Sequence, residues 1–258
     1  MDGSGADAGP ASEVATEIAD SGGSALADTS DVSTVAGAKA VVQTAIERFG
    51  QLDILINNAG IIRWAAFPDT DEENLARHLQ VHTAGSFNTT LAAWPHMLER
   101  RYGRIVMTTS SGVFGLPNNT SYATAKSAVI GLTRSLATAG AKNGIKVNLI
   151  APAAMTRMAG GKGDPGTMTP EQVAPLTAYL AHQDCPVSGE MYAAGAGRFA
   201  RIFVATTPGY VHPGPETTIE DIAEHWATIN DEHGYSVPSD LGDWSATFLR
   251  HLSPEQPQ

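Results

Sequence analysis

The sequence predicts an α/β fold built on a mostly parallel sheet, and three observations support this prediction. Short continuous apolar runs, typical of strands buried on both faces, occur at 52–56, 104–107 and 146–150. Longer segments with apolar residues at helical spacing alternate with these runs. Gly50, Gly144 and Pro152 fall where one pattern gives way to the next. Strands that alternate with helices form parallel sheets covered by helices.

The elements can be assigned in chain order from these patterns. Residues 1–10 form a loop, Ser12 caps the first helix, and the long central helix has a weak point before Pro95. Helices are expected at 12–21, 32–49, 71–100, 122–143, 170–182 and 220–230. Strands are expected at 25–27, 52–56, 104–107, 146–150 and 191–193. The four glycines of 160–170 indicate a flexible loop between the later elements.

The chain is expected to contain two regions. Residues 1–197 carry the alternating pattern and form the sheet domain. After Gly197 the pattern weakens, and residues 198–258 form a partly helical extension that we expect to pack on or near the substrate pocket. No internal repeat interrupts either region.

Composition excludes several classes of function. A formal net charge of -11 argues against a broad nucleic-acid interface. No apolar run approaches the length of about 20 residues that a membrane helix needs. The N-terminus lacks the basic start of a signal peptide, and the single cysteine, Cys185, fits a reducing compartment, so a cytoplasmic location is expected. No group of histidines or acidic residues has metal-ligand spacing.

Three motifs in a fixed order carry the chemistry. Tyr122 and Lys126 are four residues apart and share one face of a predicted helix. A lysine cation beside a phenol lowers the phenol's pKa, which suits proton transfer near neutral pH. Upstream, Asn57-Asn58-Ala59-Gly60 follows one predicted strand, and the hydroxyl cluster Thr108-Thr109-Ser110-Ser111 follows another. Ligands of open parallel sheets bind beyond such strand ends.

Together these motifs resemble those of the short-chain dehydrogenase/reductase family. The segments 93–97, 102–108 and 150–158 are most similar to the dehydrogenase part of peroxisomal multifunctional enzyme type 2 and its bacterial relatives. The resemblance implies a Rossmann-like doubly wound sheet and an NAD-dependent exchange between a secondary alcohol and a ketone, with NADP not excluded. A 3-hydroxyacyl-CoA is one substrate that it implies. It also implies a homodimer or homotetramer that pairs through the helices at 71–100 and 122–143.

The resemblance assigns roles to individual residues. Tyr122 gives or takes the hydroxyl proton, and Lys126 lowers its pKa and binds the nicotinamide ribose. Asn57, Ala59 and Gly60 line the cofactor, although Asn and Gly also favour plain turns. The catalytic hydroxyl is ambiguous, because counting back from Tyr122 leads to Thr109 while counting from the strand leads to Ser110. Ser110 is favoured, with Ser111 and Thr109 as alternatives.

Three further residues have two interpretations each. His82 occupies the place of an asparagine that holds a water near the lysine in the family, and histidine titrates near neutrality, but a core role is equally expected. Asp31 contacts the adenine or caps the following helix. Thr156 contacts the nicotinamide amide or a phosphate, or caps a helix.

One part of the family pattern is not found. No Thr-Gly-x-x-x-Gly-x-Gly turn occurs in the chain, and the glycines at 3, 5 and 9 follow no strand. We therefore expect the sheet to lack its first two strands, Met1 to be an internal methionine, and the strand at 52–56 to become an exposed edge. The 258-residue chain is expected to bind NAD weakly. An alternative function is an inactive remnant that serves as an oligomerising or binding module.

Overall fold

The computed structural model describes residues 8–156 and 168–252, and the strands in these ranges form one sheet. The strand order is β1-β2-β3-β4-β5. The strands are β1 Ile54–Asn57, β2 Gly103–Thr108, β3 Ile145–Pro152, β4 Met191–Gly195 and β5 Arg198–Ile202. β1 to β4 pair in parallel, in a register that aligns Asn57 with Met107 and Thr108 with Ile150. The predicted mostly parallel α/β fold is confirmed.

The helices alternate with these strands. They are α1 Gly9–Asp20, α2 Val35–Phe49, α3 Glu72–His78, α4 Gly85–Arg100, α5 Thr120–Gly140, α6 Ala174–Leu180, α7 Ile219–Glu224, α8 Trp226–Ile229 and α9 Leu241–Phe248. A π-helical turn, Leu79–Ala84, joins α3 to α4 without a break. Short 3₁₀ turns occupy Ser111–Phe114, Ala141–Asn143, Pro170–Gln172 and Arg250–Leu252.

Helices cover both faces of the sheet. Val106 of β2 and Ile150 of β3 belong to the buried cluster that contains Leu180 of α6. Met107 follows Val106 and therefore points to the opposite face, because successive strand residues alternate. There it meets the Asn57 amide, which also bonds to Thr90 of α4. The carboxyl ends of β1 and β2 thus lie beside α4, where the site forms.

β1 lies at the edge of the sheet, as the sequence predicts. Ile54 and Ile56 are 45% and 46% exposed. The predicted strand at 25–27 is wrong, since residues 23–31 form no regular structure and Leu26 is exposed. A strand persists only when its N–H and C=O groups are paired, and no neighbouring strand reaches this segment within the described residues.

Several predicted helix ends shift for identifiable reasons. α1 begins at Gly9, so Ser12 is not its cap. Thr34, whose hydroxyl accepts the Gly37 N–H, caps α2, which corrects the interpretation of Asp31 as the cap. The central helix continues through Pro95, and its departure from α geometry lies instead at Leu79–Ala84.

Two later expectations also need correction. The last strand of the sheet domain runs to Gly195 and is followed by β5, which the sequence analysis missed. Ala196 and Gly197 both have positive φ (51° and 72°), the geometry of a tight hairpin turn. On α5, Val129 is fully buried within the chain, so it is not available for the pairing that was expected of the helix at 122–143.

The described chain divides into two compact units, Met1–Arg201 and Ile202–Gln258. The second unit contains α7 to α9, and a capping box between Thr218 and Asp221 begins α7. Stacked rings of Tyr210 and His225, with centroids 3.7 Å apart, lie in the same unit. Among the residues described, no helix has both the length and the apolar composition to cross a membrane.

Candidate active site

The Asn57 side chain connects the end of β1 to α4. Its amide donates to the Thr90 hydroxyl at 3.2 Å, and its carbonyl oxygen accepts the Thr89 hydroxyl at 2.6 Å. The next residue, Asn58, accepts a hydrogen bond from Thr108 at the end of β2. These bonds hold the Asn57–Gly60 turn in a fixed conformation at the carboxyl edge of the sheet.

Gly60 is a glycine because of its neighbour His82. A Cβ at position 60 would lie 2.6 Å from Cε1 and 3.1 Å from Nδ1 of the imidazole. Contacts this short are not tolerated, so only glycine lets the turn approach the ring. The sequence predicts both residues as members of the site, and the structure brings them into direct contact.

His82 is neutral and buried, which corrects the expectation that it titrates near neutrality. Its Nε2 lies 2.8 Å from the Ile61 carbonyl oxygen, so Nε2 carries the proton and donates it. The Ile61 N–H is also 3.4 Å from Nε2, but the shorter contact fixes that nitrogen as a donor. Burial, with the nearby Lys126 cation, lowers the His82 pKa from 6.5 to about 3. Nδ1 is left as a buried acceptor without a partner.

A second histidine, His78, lies one turn before His82 and was not recognised in the sequence. It is fully buried. Its Nδ1 donates to the Asn74 carbonyl at 2.8 Å, and its Nε2 accepts the Arg63 N–H at 3.3 Å. The i, i+4 spacing of the two histidines is the signal that could have indicated a shared face.

The three candidate hydroxyls after β2 have different surroundings in the structure. Thr109 is buried and donates to the Lys126 carbonyl at 2.8 Å, so its hydroxyl serves the α5 backbone. Ser111 is exposed at the start of a 3₁₀ turn. Ser110 is half-buried, accepts the Gly112 N–H at 3.0 Å, and interacts with the Tyr122 side chain, whose pKa it lowers. Of the three, Ser110 is the one beside the phenol.

Tyr122 and Lys126 lie on one face of α5, as their spacing predicts. Lys126 is buried, its Nζ donates to the Thr108 carbonyl at 2.9 Å, and it lies 5.9 Å from the Tyr122 ring centroid. Burial lowers the Lys126 pKa to about 8. Burial raises the pKa of Tyr122, and the Ser110 hydrogen bond opposes that rise. The expectation that Lys126 lowers the phenol's pKa is therefore not met, because burial of the phenol raises that pKa.

Asn119 fixes the start of α5, the helix that carries Tyr122, and was also missed. It is fully buried. Its Oδ1 accepts the Tyr122 N–H at 3.2 Å, which caps α5, and its Nδ2 donates to the Arg63 carbonyl at 3.1 Å. One side chain therefore joins the segment after the Asn57–Gly60 turn to the helix that carries Tyr122.

Asp31 and Thr156, the two remaining candidates, are both exposed. Asp31 is exposed in a turn before α2, where hydrogen bonds from Ser33 lower its pKa. The adjacent Val32 lines a cavity of about 120 Å³ together with Asn57 and Ala59, so the Asp31 turn borders the same edge of the sheet. Thr156 is exposed after β3, next to the undescribed residues 157–167.

The described residues fit one end of a dinucleotide cofactor. The bond to Thr108 uses one of the three N–H donors of the Lys126 ammonium, and the phenol of Tyr122 is a turn away, so both can bond to ribose hydroxyls. The exposed Ala59 leaves room for a close approach. In residues 8–156 and 168–252 no Gly-rich turn joins a strand to a helix N-terminus, so no pyrophosphate site of that kind is present there. In the same ranges no three His, Cys, Asp or Glu side chains could hold a metal.

Comparisons with known proteins agree with this geometry. The profile of the short chain dehydrogenase family matches residues 4–164. A short-chain type dehydrogenase/reductase of Mycobacterium tuberculosis is 39% identical over 240 residues, which cover 92% of this chain and 84% of the relative. The peroxisomal multifunctional enzyme type 2 of Drosophila melanogaster is 38% identical over 97% of this chain, which spans 42% of that enzyme.

A solved structure extends the comparison to a bound cofactor. The 7α-hydroxysteroid dehydrogenase complexed with NADH and 7-oxo-glycochenodeoxycholic acid superposes with a TM-score of 0.68. It is 27% identical, and the match covers 74% of this chain and 81% of that one.

Proposed function

The chain belongs to the short-chain dehydrogenase family and is an oxidoreductase, and from that premise we propose that it interconverts a secondary alcohol and a ketone with NAD. The observation that carries this proposal is the contact between Ser110 and Tyr122, with buried Lys126 one turn along the same helix. Enzymes of the family use NAD(H) or NADP(H), and the NADH complex of the 7α-hydroxysteroid dehydrogenase supports the choice of NAD.

Each residue has a step in the proposed reaction. In alcohol oxidation, Tyr122 accepts the hydroxyl proton through its phenolate oxygen. The Ser110 hydroxyl donates to the substrate oxygen and orients the carbonyl that forms. The Lys126 ammonium binds the nicotinamide ribose. When bound, NAD supplies the hydride acceptor. Asn57, Ala59 and Gly60 line the cofactor, with Asp31 at its adenine end and Thr156 near the nicotinamide or a phosphate.

The role proposed for His82 is to orient a water and not to transfer a proton. A histidine whose pKa lies near 3 stays neutral at pH 7, so it cannot shuttle a proton by changing its charge. Its unpartnered Nδ1 is instead a fixed acceptor beside Lys126. We infer that it orients a water that donates to Nδ1 and links Lys126 to solvent.

The proposed substrate class is a 3-hydroxyacyl-CoA. The similarity to the multifunctional enzyme over 97% of this chain supports that class. The proposed assembly is a homodimer or homotetramer. The exposed α4 residues Phe87 and Leu91 support it, since they are one helical turn apart and lie on one face. No finding supports the alternative of an inactive remnant.

Substrate class and cofactor are tested together by initial rates. NADH or NADPH formation would be followed with 3-hydroxybutyryl-CoA, 3-hydroxydecanoyl-CoA and 2-butanol, each with NAD and with NADP. We expect the highest kcat/KM with NAD and a hydroxyacyl-CoA. Higher kcat/KM with 2-butanol would contradict the acyl-CoA assignment alone. No turnover with any alcohol and either cofactor would contradict the proposed reaction.

A further inference from the structure

Two stacked imidazoles stand beside the candidate catalytic phenol. The ring centroids of His78 and His82 are 6.0 Å apart, with an interplanar angle of 12°. Each ring meets Tyr122 edge-on, His82 at 5.3 Å and His78 at 6.0 Å. Tyr122 is thus packed against both histidines, and Ser110, in the segment after β2, interacts with its side chain.

Both histidines also bind the backbone that follows the Asn57–Gly60 turn. His82 donates to the Ile61 carbonyl, and His78 accepts the Arg63 N–H. The Arg63 carbonyl accepts a hydrogen bond from the Asn119 amide. The oxygen of that amide accepts the Tyr122 N–H and so caps the start of α5. The same short segment is therefore tied to the histidine pair on one side and to the start of α5 on the other.

The π-helical turn brings the pair into this position. It begins directly after His78 and contains His82. Single π-helical turns inside α-helices are frequently found at functional sites. Here the widened turn faces α5, and the π-helical turn and α5 are in direct contact.

We propose that His78 is a positioning residue for Tyr122: as a neutral imidazole it holds both the phenol ring and the Arg63 backbone, and so fixes the distance between the phenol oxygen and the substrate. This inference rests on the proposed function, in which Tyr122 transfers the proton. His78 itself touches neither substrate nor cofactor in this proposal.

The charge state of His78 is consistent with such a role. Both of its nitrogens are already committed, one as donor to Asn74 and one as acceptor from Arg63, so a second proton would break the Arg63 bond. The groups that face it are the Arg63 side chain, the His82 imidazole and the Tyr122 phenol. Burial, aided by Arg63, lowers the His78 pKa below its usual 6.5 and keeps the neutral form.

The test places a reporter on the phenol itself. The full chain would be produced with 3-fluorotyrosine, and the ¹⁹F resonance of Tyr122 assigned by its loss in Tyr122→Phe. His78→Phe keeps a ring but loses both hydrogen bonds, whereas His78→Gln keeps a hydrogen-bonding group but loses the ring. Val173→Ala, in the buried cluster under α6, is the control for a general loss of stability.

We expect both His78 variants to move or broaden the Tyr122 resonance and to lower kcat by about 10- to 100-fold, with KM for NAD unchanged within threefold. Val173→Ala should lower only the melting temperature. An unchanged Tyr122 resonance in either folded His78 variant, or an equal change in Val173→Ala, would overturn the inference. The resonance is read without substrate, so a chain that lacks turnover would contradict the proposed function and leave this test intact. If His78→Phe does not fold, His78→Gln decides.

Discussion

The backbone of Gly60 lies against the imidazole of His82, at a separation that leaves no space for a side chain. A Cβ at position 60 would come within 2.6 Å of Cε1. The fourth residue of the Asn57–Gly60 turn is therefore determined by a residue 22 positions later, in the π-helical turn before α4. The two parts of the candidate site depend on each other physically.

This relationship predicts a rescue. Gly60→Ala should lower the free energy of unfolding by about 1–3 kcal/mol, because the added methyl group overpacks against the ring. His82→Ala should remove most of that cost in the double mutant, which urea unfolding of all four proteins would reveal as a coupling energy. Gly131→Ala is the control, since nothing lies within 4 Å of its Cβ position. Additive effects of the Gly60 and His82 changes would refute the contact.

Acid should destabilise the protein through His82. Its pKa is about 3 in the folded chain against 6.5 ordinarily, so the unfolded chain binds the proton first as pH falls. Stability is complete above pH 6.5 and falls toward pH 3, by about 1.4 kcal/mol per pH unit for one group once below pH 6. Urea unfolding between pH 7 and 4.5 would measure the slope.

A His82→Asn variant serves as the comparison for that slope. Asparagine keeps a polar side chain but does not titrate, so the stability of the His82→Asn protein should depend less on pH over the same range. His78, whose pKa is also lowered, leaves a residual slope in the variant. Identical slopes for the two proteins would show that His82 is not held neutral by the fold.

Removal of the Ser110 hydroxyl and removal of the Thr109 hydroxyl should affect different properties, the first kcat and the second stability. Ser110→Ala removes the group beside the phenol and is expected to lower kcat by about 100-fold, as loss of a transition-state donor does. Thr109→Ala removes a buried bond to the Lys126 carbonyl and should cost about 1–2 kcal/mol of stability with kcat within a few-fold. Steady-state kinetics and urea unfolding of both variants decide. A larger loss of kcat in Thr109→Ala would reverse the assignment.

The sequence was sufficient to group the residues at the centre of the candidate site. The four-residue spacing of Tyr122 and Lys126 and the strand ends at Asn57 and Thr108 are local patterns, and the structure places them together. Asn119 and His78 were missed because each also bonds to the Arg63 backbone, which is distant along the chain. The Asn119 amide reaches Arg63, 56 positions away, and no local pattern contains such a contact.

Local patterns also failed where contacts with other parts of the chain determine the secondary structure or the pKa of a residue. Residues 25–27 have strand-like composition, but a strand needs a neighbour to bond with, and Leu26 remains exposed. The pKa values of His82 and Tyr122 are likewise set by burial, which spacing alone does not show. β5 was identifiable in principle from the Gly195-Ala196-Gly197 turn that precedes it.

The proposed oligomer should depend on α4. Leu91 is 58% exposed on the same helical face as Phe87, so Leu91→Arg would place a charge in the proposed interface. Sedimentation at micromolar concentration should show a dimer or tetramer for the unaltered chain and a shift to monomer for the variant. Leu26→Arg, at a similarly exposed leucine elsewhere, should leave the assembly unchanged. A monomeric unaltered chain would contradict the proposed assembly.

The central claim is that Tyr122 transfers the proton in an NAD-linked oxidation, and one comparison tests it most directly. NADH formation from 3-hydroxydecanoyl-CoA at millimolar NAD would be measured for the 258-residue chain and for Tyr122→Phe, which keeps the ring contacts with His78 and His82. We predict that Tyr122→Phe lowers kcat by at least about 100-fold while the Tm stays close to that of the unaltered chain, since general acid–base groups contribute about 10²–10⁴. Turnover by Tyr122→Phe within tenfold of the unaltered chain would contradict the account.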